Sequence, residues 1–339
     1  MTQPATGQGT PPVLSIPGLA PELRERLLEG MARVEALLSA RVAADDPFVA
    51  EASGHLLAAG GKRFRPLLTL LVAELGAGAT DEVVAAAAGV ELTHLASLYH
   101  DDVMDEADVR RGAPSANARY GNSTAILVGD LLFGTASDIV ADLGPQAVKI
   151  QARTFVRLCS GQIRDERPCP DGTDPVEYHL GVLADKTGVL IATAARYGAM
   201  FAGCPQDVVA MATEYGERLG MAFQLADDLI DIGSEGEESG KTPGTDLREG
   251  KRTLPVLHAL ASTDRADDRL KELLTGDLDD DARLAEALTL LRGHRAMDEA
   301  REQTRAVARR AVEVLEPLPA SEAKDALVAL ASGVVERVG

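Results

Sequence analysis

Two aspartate clusters of the same grammar stand far apart in this chain: Asp101-Asp102-Val103-Met104-Asp105 and Asp227-Asp228-Leu229-Ile230-Asp231. On a helix, residues i and i+4 share a face, so Asp101 and Asp105 aim at one point and Asp227 and Asp231 at another. Carboxylates concentrated in this way repel unless cations lie among them. Hard oxygen donors that leave room for water and phosphate oxygens suit Mg²⁺. An acidic run taken alone is more often a solvated face. Here Leu92, Leu95, Leu98 and Val103 make the first helix largely apolar, and unpaired charge on a buried element is costly. In the second cluster Gln224, Asp227, Asp228 and Asp231 follow i, i+3, i+4, i+7, a clean polar stripe.

Basic residues accompany both clusters. His94 precedes Asp101 by seven positions on the same helical face, and Arg110-Arg111 follow the acids, an arrangement suited to a metal-bridged diphosphate. Lys241, flanked by glycine, and Lys251, opening the next helix, stand downstream of the second cluster. The string Gly240-Lys241-Thr242 evokes a phosphate-binding P-loop, but the upstream glycine spacing and a preceding strand are missing. In Gly60-Gly61-Lys62-Arg63-Phe64-Arg65-Pro66, Lys62 and Arg65 fall on one side of an expected helical turn; a solvated basic turn is the plain alternative. Lys186 and Thr187 sit among Leu183, Val189 and Leu190, where a lysine is expensive unless it meets an anion. Two anion sites with metal between the aspartates imply two substrates that each carry a diphosphate.

The elements that must position these groups read as helices over 21–42, 64–75, 81–105, 125–143, 176–201 and 207–232, whereas alternating β-branched segments bounded by tight turns are missing. The fold class is therefore all-α, a single large helical bundle. Aromatic residues make up 3% of the 339 and Trp is absent, so the core rests on Leu, Val and Ala. Residues 1–20 read as a disordered tail, rich in Pro, Gly, Thr and Gln and lacking the pattern of a targeting peptide, and 21–339 as one domain. Apolar stretches such as Val83 to Val90 fall well short of the roughly 20 residues a spanning helix needs, so no integral membrane segment is expected. A net charge of −19 with a pI near 4.7 argues against nucleic acid and against docking on an anionic membrane. Cys159, Cys169 and Cys204 are odd in number and lack metal-like spacing, as in a reduced cytoplasmic protein.

From residue 21 to the C-terminus the chain resembles the trans-type polyprenyl diphosphate synthases, with GGKRFRP, HDDVMDEADVRRG, ADKTG, FQLADDLID and GKTPGTDLREGKRTLP in the order that family shows. The resemblance implies a helical bundle around a central active-site cavity, a homodimer and three Mg²⁺ ions. It implies that Asp101, Asp102, Asp105, Asp227, Asp228 and Asp231 bind the metal that clamps an allylic diphosphate. Arg110, Lys186, Thr187, Gln224, Lys241 and Lys251 match allylic-site positions, and Asp101, Asp105, Lys186, Thr187, Asp227 and Lys241 are the catalytic set. Lys62, Arg65, His94 and Arg111 match the isopentenyl diphosphate pocket, with Gly61 in the adjacent turn. The segment Gly161 to Glu166 fits less closely and receives no role.

Such an enzyme joins isopentenyl diphosphate head-to-tail to an allylic primer. Ala96 and Ser97, one turn before Asp101, are small where short-chain relatives carry an aromatic floor, so a long-chain all-trans product, such as a quinone side-chain precursor, is expected. A block further down, at Phe155 or Leu158, would give a shorter product, as in farnesyl or geranylgeranyl diphosphate synthases. A terpene cyclase would have no use for a second diphosphate pocket, and a non-catalytic synthase subunit would have lost aspartates or anion-site bases that this chain keeps.

Overall fold

The computed structural model describes residues 16–234 and 243–336. Its helices, in chain order, are α1 (Pro21–Val42), α2 (Pro47–Ala58), α3 (Phe64–Ala73), α4 (Asp81–Met104), α5 (Ala116–Tyr120), α6 (Asn122–Asp142), α7 (Pro145–Asp165), α8 (Pro175–Leu183), α9 (Val189–Phe201) and α10 (Gln206–Gly233). There follow α11 (Thr245–Arg248), α12 (Leu254–Ala261), α13 (Asp268–Leu274), α14 (Asp281–Arg292), α15 (Arg295–Val314) and α16 (Glu322–Glu336). The all-α reading holds. Among the described residues the strands are β1 (Val109–Arg110) and β2 (Ala113–Pro114), one antiparallel pair that the sequence pattern was too short to reveal.

The chain forms two compact units. The first comprises residues 1–155, 190–213 and 317–329, and the second 156–189, 214–316 and 330–339. In the first, α4 packs against α1, α3 and α6. Thr80 caps it by accepting from the Val83 amide, Asp81 and Glu82 complement the dipole of its first turn, and almost every face from Val83 to Leu95 is buried. A helix apolar on all sides belongs in the middle of its unit. Close approach is made possible by small residues: a Cβ on Gly198 of α9 would stand 2.2 Å from the Thr69 carbonyl oxygen of α3. Of the expected tail, Ile16 and Leu19 are buried apolar side chains, so the packed chain begins before residue 21. In the second unit α12 packs against α8, α13, α14 and α15.

α6 is long and apolar enough by composition to cross a membrane, with 39% of that stretch buried; one face packs on α4, while Ile126, Leu127 and Leu131 are exposed. The expected helix over 176–201 is interrupted. Residues Ala184–Gly188 form a π-helical turn between α8 and α9, and Lys186 and Thr187 lie in it. A π turn inserts one residue into the helical period, which periodicity in sequence does not register.

Candidate active site

The first unit carries the first acidic cluster. α4 ends at Met104 with Asp105 as its C-cap, so the first acidic cluster occupies the last turn. Asp101 is half-buried and Asp105 exposed, whereas Asp102 is fully buried. Both Asp102 oxygens are engaged: Oδ1 accepts from Arg110 Nε at 2.6 Å and Oδ2 from the Ala116 amide at 2.8 Å. The three aspartates therefore differ in role within the fold, with Asp101 and Asp105 on the open side and Asp102 tying the loop back to the helix. Arg110 also approaches Asp105 at 3.8 Å.

The loop turns at Arg111-Gly112, whose φ values of 55° and 76° join β1 to β2 through a two-residue connection of the kind that favours positive φ at both positions. Arg111 donates from Nη1 to the carbonyls of Leu56 and Gly60. Its guanidinium lies over Gly61, where a Cβ would stand 2.7 Å from Arg111 Cζ, and φ there is 135°, a conformation that favours glycine. The structure thus brings Gly61, Arg111, Arg65 and His94 into one cationic neighbourhood. Burial together with Arg65, Arg111, Arg63 and Arg110 pushes His94 well below the usual histidine range, so it is a neutral imidazole. Burial and then Arg111 lower Arg65 to about 10 against the pull of Glu91 and Asp101, and its Nε is buried with no hydrogen-bond partner.

The expected geometry of the Gly60–Pro66 segment is corrected. Lys62 and Arg65 do not share a helical turn, because α3 begins at Phe64 and Arg63 before it is left-handed with φ 47°. Lys62 is exposed, and Arg65 half-buried. Ala96 is buried, and Ser97 is half-buried and donates to the His94 carbonyl at 2.8 Å. Phe155 stacks on Phe133 with centroids 3.9 Å apart.

The second unit carries the second acidic cluster. On α10, Gln224 Nε2 donates to Asp228 Oδ1 at 2.9 Å and Gln224 Oε1 accepts from Thr187 Oγ1 at 3.4 Å, so one glutamine links the π turn to the second acidic cluster. Asp227 and Asp231 are half-buried, and Asp228 is 5% exposed. Burial, followed by the neighbouring Asp246, Asp227 and Asp231 carboxylates, pushes Asp228 up to about 7, with the Gln224 bond opposing. A carboxyl so disfavoured in its charged form is relieved by a cation, and the donor set is oxygen throughout, which fits Mg²⁺ held with water and phosphate oxygens. Among the described residues no three His, Cys, Asp or Glu side chains stand close enough to hold a metal ion by themselves. Lys251 lies 2.5 Å from Glu249 and 3.7 Å from Asp246. Lys241 lies outside the described residues.

Sequence reasoning missed three features here: the Lys186–Asp165 pair, the two arginines on Asp185, and His179. Lys186 Nζ donates to Asp165 at 2.6 Å, and Arg164 and Arg157 both hold Asp185. The signal was Gly161 in the segment given no role: a Cβ there would stand 2.5 Å from the Lys186 amide nitrogen, so α7 meets the π turn backbone to backbone. His179 is the third. Its Nε2 is buried without a hydrogen-bond partner, 3.9 Å from Asp228 Oδ2, and burial lowers its pKa to about 4.

The polyprenyl synthetase family model matches residues 46–291. The chain is 49% identical over 311 residues to the nonaprenyl diphosphate synthase of Mycobacterium tuberculosis, covering 91% of this chain and 93% of that protein. Among solved structures it is similar to the geranylgeranyl pyrophosphate synthase of Corynebacterium glutamicum complexed with calcium and isoprenyl diphosphate, at 44% identity, with a TM-score of 0.86 and coverage of 94% and 98%. It is similar too to a decaprenyl diphosphate synthase of Rhodobacter capsulatus, at 36% identity, TM-score 0.86 and coverage of 94% and 99%.

The raised pKa of Asp228 fixes the sign of a pH effect. A carboxyl whose folded pKa of about 7 lies above its ordinary value of 3.8 leaves the native state binding more protons than the unfolded one between those values. Stability of metal-free protein therefore falls as pH rises through that window. Thermal melts in chelator from pH 4 to pH 7 are expected to show wild type losing stability relative to Asp228→Asn; parallel melting curves for the two proteins would contradict the assignment.

Proposed function

This chain belongs to the polyprenyl synthetase family, and from that membership we propose that it condenses isopentenyl diphosphate with an allylic diphosphate primer to give a long-chain all-trans polyprenyl diphosphate. The observation that carries the reading is that each acidic helix keeps its own company of diphosphate-binding groups. Asp101 and Asp105 come with Arg110, Arg111, Arg65 and His94, while Asp227, Asp228 and Asp231 come with Gln224, Thr187 and Lys186. A single-substrate hydrolase has no use for both sets.

Breaking the C–O bond of an allylic diphosphate leaves a carbocation and a strongly anionic leaving group. Mg²⁺ bound through Asp101, Asp105, Asp227, Asp228 and Asp231, with Asp102 behind them, would supply Lewis-acid stabilisation of the charge that grows on that group. Lys186, Thr187, Gln224, Arg110, Lys241 and Lys251 hold and orient the leaving diphosphate through fixed positive charge and hydrogen bonds. Lys62, Arg65, His94 and Arg111 hold the isopentenyl diphosphate, whose double bond attacks the cation. Neutral His94 donates one N–H to a phosphate oxygen without contributing a charge. The proton lost after attack passes to the released diphosphate. No protein nucleophile is needed, and apolar walls keep water from the cation.

The substrates are the two prenyl diphosphates. We read the protein as a cytoplasmic homodimer with three Mg²⁺ ions per active site. The three free cysteines are compatible with a reducing compartment, and the exposed Ile126, Leu127 and Leu131 of α6 offer an apolar face for a second copy. A long product is supported by the small Ala96 and Ser97 and by the nonaprenyl and decaprenyl relatives. A shorter product is the second reading, favoured by the stacked Phe133–Phe155 pair and by the geranylgeranyl relative.

The direct experiment incubates pure protein with Mg²⁺, labelled isopentenyl diphosphate and farnesyl or geranylgeranyl diphosphate, and sizes the product. Asp101→Ala and Asp227→Ala are each expected to lower turnover about a thousandfold or more with an unchanged helical circular dichroism spectrum. Near-normal condensation by either variant at saturating Mg²⁺ would remove the metal role.

Lys62→Ala and Arg65→Ala are expected to raise the KM for isopentenyl diphosphate by about ten- to a hundredfold, as loss of a charge-assisted bond to phosphate does. The KM for the allylic primer should barely move; equal effects on both substrates would mean that the pocket is misassigned.

Ser97→Phe and Ala96→Tyr are expected to shorten the product while leaving activity, because a helical turn rises about 5.4 Å and a ring one turn before Asp101 stops the tail within a few isoprene units. Chromatography against prenyl alcohol standards decides it: an unchanged distribution means the tail does not pass Ala96 and Ser97. If the shorter reading holds, Phe155→Ala lengthens the product instead.

A further inference from the structure

Arg63 stands between Lys62 and Arg65 in sequence, and its side chain is taken up by partners within its own unit. It is 8% exposed, and all three guanidinium nitrogens donate inward. Nε donates to Glu35 of α1 at 2.6 Å, Nη1 to the Gly60 carbonyl at 3.1 Å and to Glu91 of α4 at 3.4 Å, and Nη2 to the Leu57 carbonyl at 2.9 Å. Its charge is thus consumed inside the fold. Glu91, 2% exposed, is the buried carboxylate that Arg63, Arg65 and Arg111 all surround. The backbone of Arg63 is left-handed at φ 47°, a conformation that a Cβ disfavours, and the four inward bonds hold it there. Reversing the chain at this residue separates Lys62 from the start of α3 and sets Arg65 in its second position.

We propose that Arg63, clamped by Glu35 and Glu91 and by the carbonyls of Leu57 and Gly60, is a positioning residue for the isopentenyl diphosphate pocket: it touches no substrate, and it sets the direction from which Lys62 and Arg65 reach the diphosphate. The proposal rests on the reading of that pocket given above. It differs from a role in general stability, because a clamp that only stabilised the fold would alter the fraction of active protein and so kcat, with both KM values intact.

Steady-state kinetics of Arg63→Met, Arg63→Lys and Glu35→Gln test it, with each substrate varied in turn. Arg63→Met is expected to raise the KM for isopentenyl diphosphate about tenfold or more while the allylic KM stays within about twofold, the scale of losing bonds to a charged group. Arg63→Lys keeps the charge but cannot reach the acids and both carbonyls at once, so a partial rescue is expected. Glu35, whose side chain is 41% exposed, covers the case in which Arg63→Met does not fold: Glu35→Gln removes one charged partner and is expected to shift the same KM in the same direction by a few fold. An unchanged isopentenyl diphosphate KM in a folded Arg63→Met or in Glu35→Gln, or a fall in kcat alone, overturns the proposal. Absence of condensation by wild type would instead overturn the functional reading, so the two failures are distinguishable.

Discussion

The buried carboxylate of Asp102 is the constraint from which the first half-site follows. With no exposure to water, both of its oxygens have to be satisfied by the protein, since a buried charge without partners is among the most expensive things a fold can contain. Arg110 and the Ala116 amide satisfy them. That single requirement draws the chain after α4 back onto its own helix end and closes the β1–β2 hairpin. It also throws Arg111 across Gly61 onto the end of α2. Asp101 and Asp105 are left on the open side because Asp102 is held inside.

The same economy of buried charge organises the neighbouring groups. Burial raises the Glu91 carboxyl even though Arg63, Arg65 and Arg111 pull it down, and His94 beside the same arginines stays neutral. In the second unit the solution is different. Asp228 keeps one bond to Gln224, and burial beside other carboxylates leaves its charged form disfavoured. The contrast is between Asp102, whose carboxylate an arginine meets, and Asp228, whose charged form burial and neighbouring carboxylates disfavour.

Tyr99 shows how the apolar interior serves the polar rim. Its hydroxyl, fully buried, donates to the Ala52 carbonyl at 2.5 Å and accepts from the Leu56 amide at 3.3 Å. Two residues before Asp101, it fastens α4 to the last turns of α2, from which the Gly60–Pro66 segment departs. A polar group at this depth has to find partners, and the partners it finds fix the register of α4 against α2.

By itself the sequence determined the helical class, the two aspartate pairs and the identity of most basic groups. A period of 3.6 residues and an i, i+4 spacing are local properties that need no tertiary contact to be read. It also showed the family through motifs in order, which the matched relatives bear out. Contacts between residues distant in sequence decided the rest. The helix expected over 176–201 became a helix, a π turn and a helix, and the opposing surface is Gly161 of α7, whose missing Cβ admits the Lys186 backbone. Lys62 and Arg65 lost their shared turn because Arg63 satisfies acids on α1 and α4, neither of which its own segment contains. Asp165 and His179 entered the site from stretches with no motif. In each case the deciding quantity was the burial of a charge or the approach of two backbones, and both are set by the folded chain as a whole.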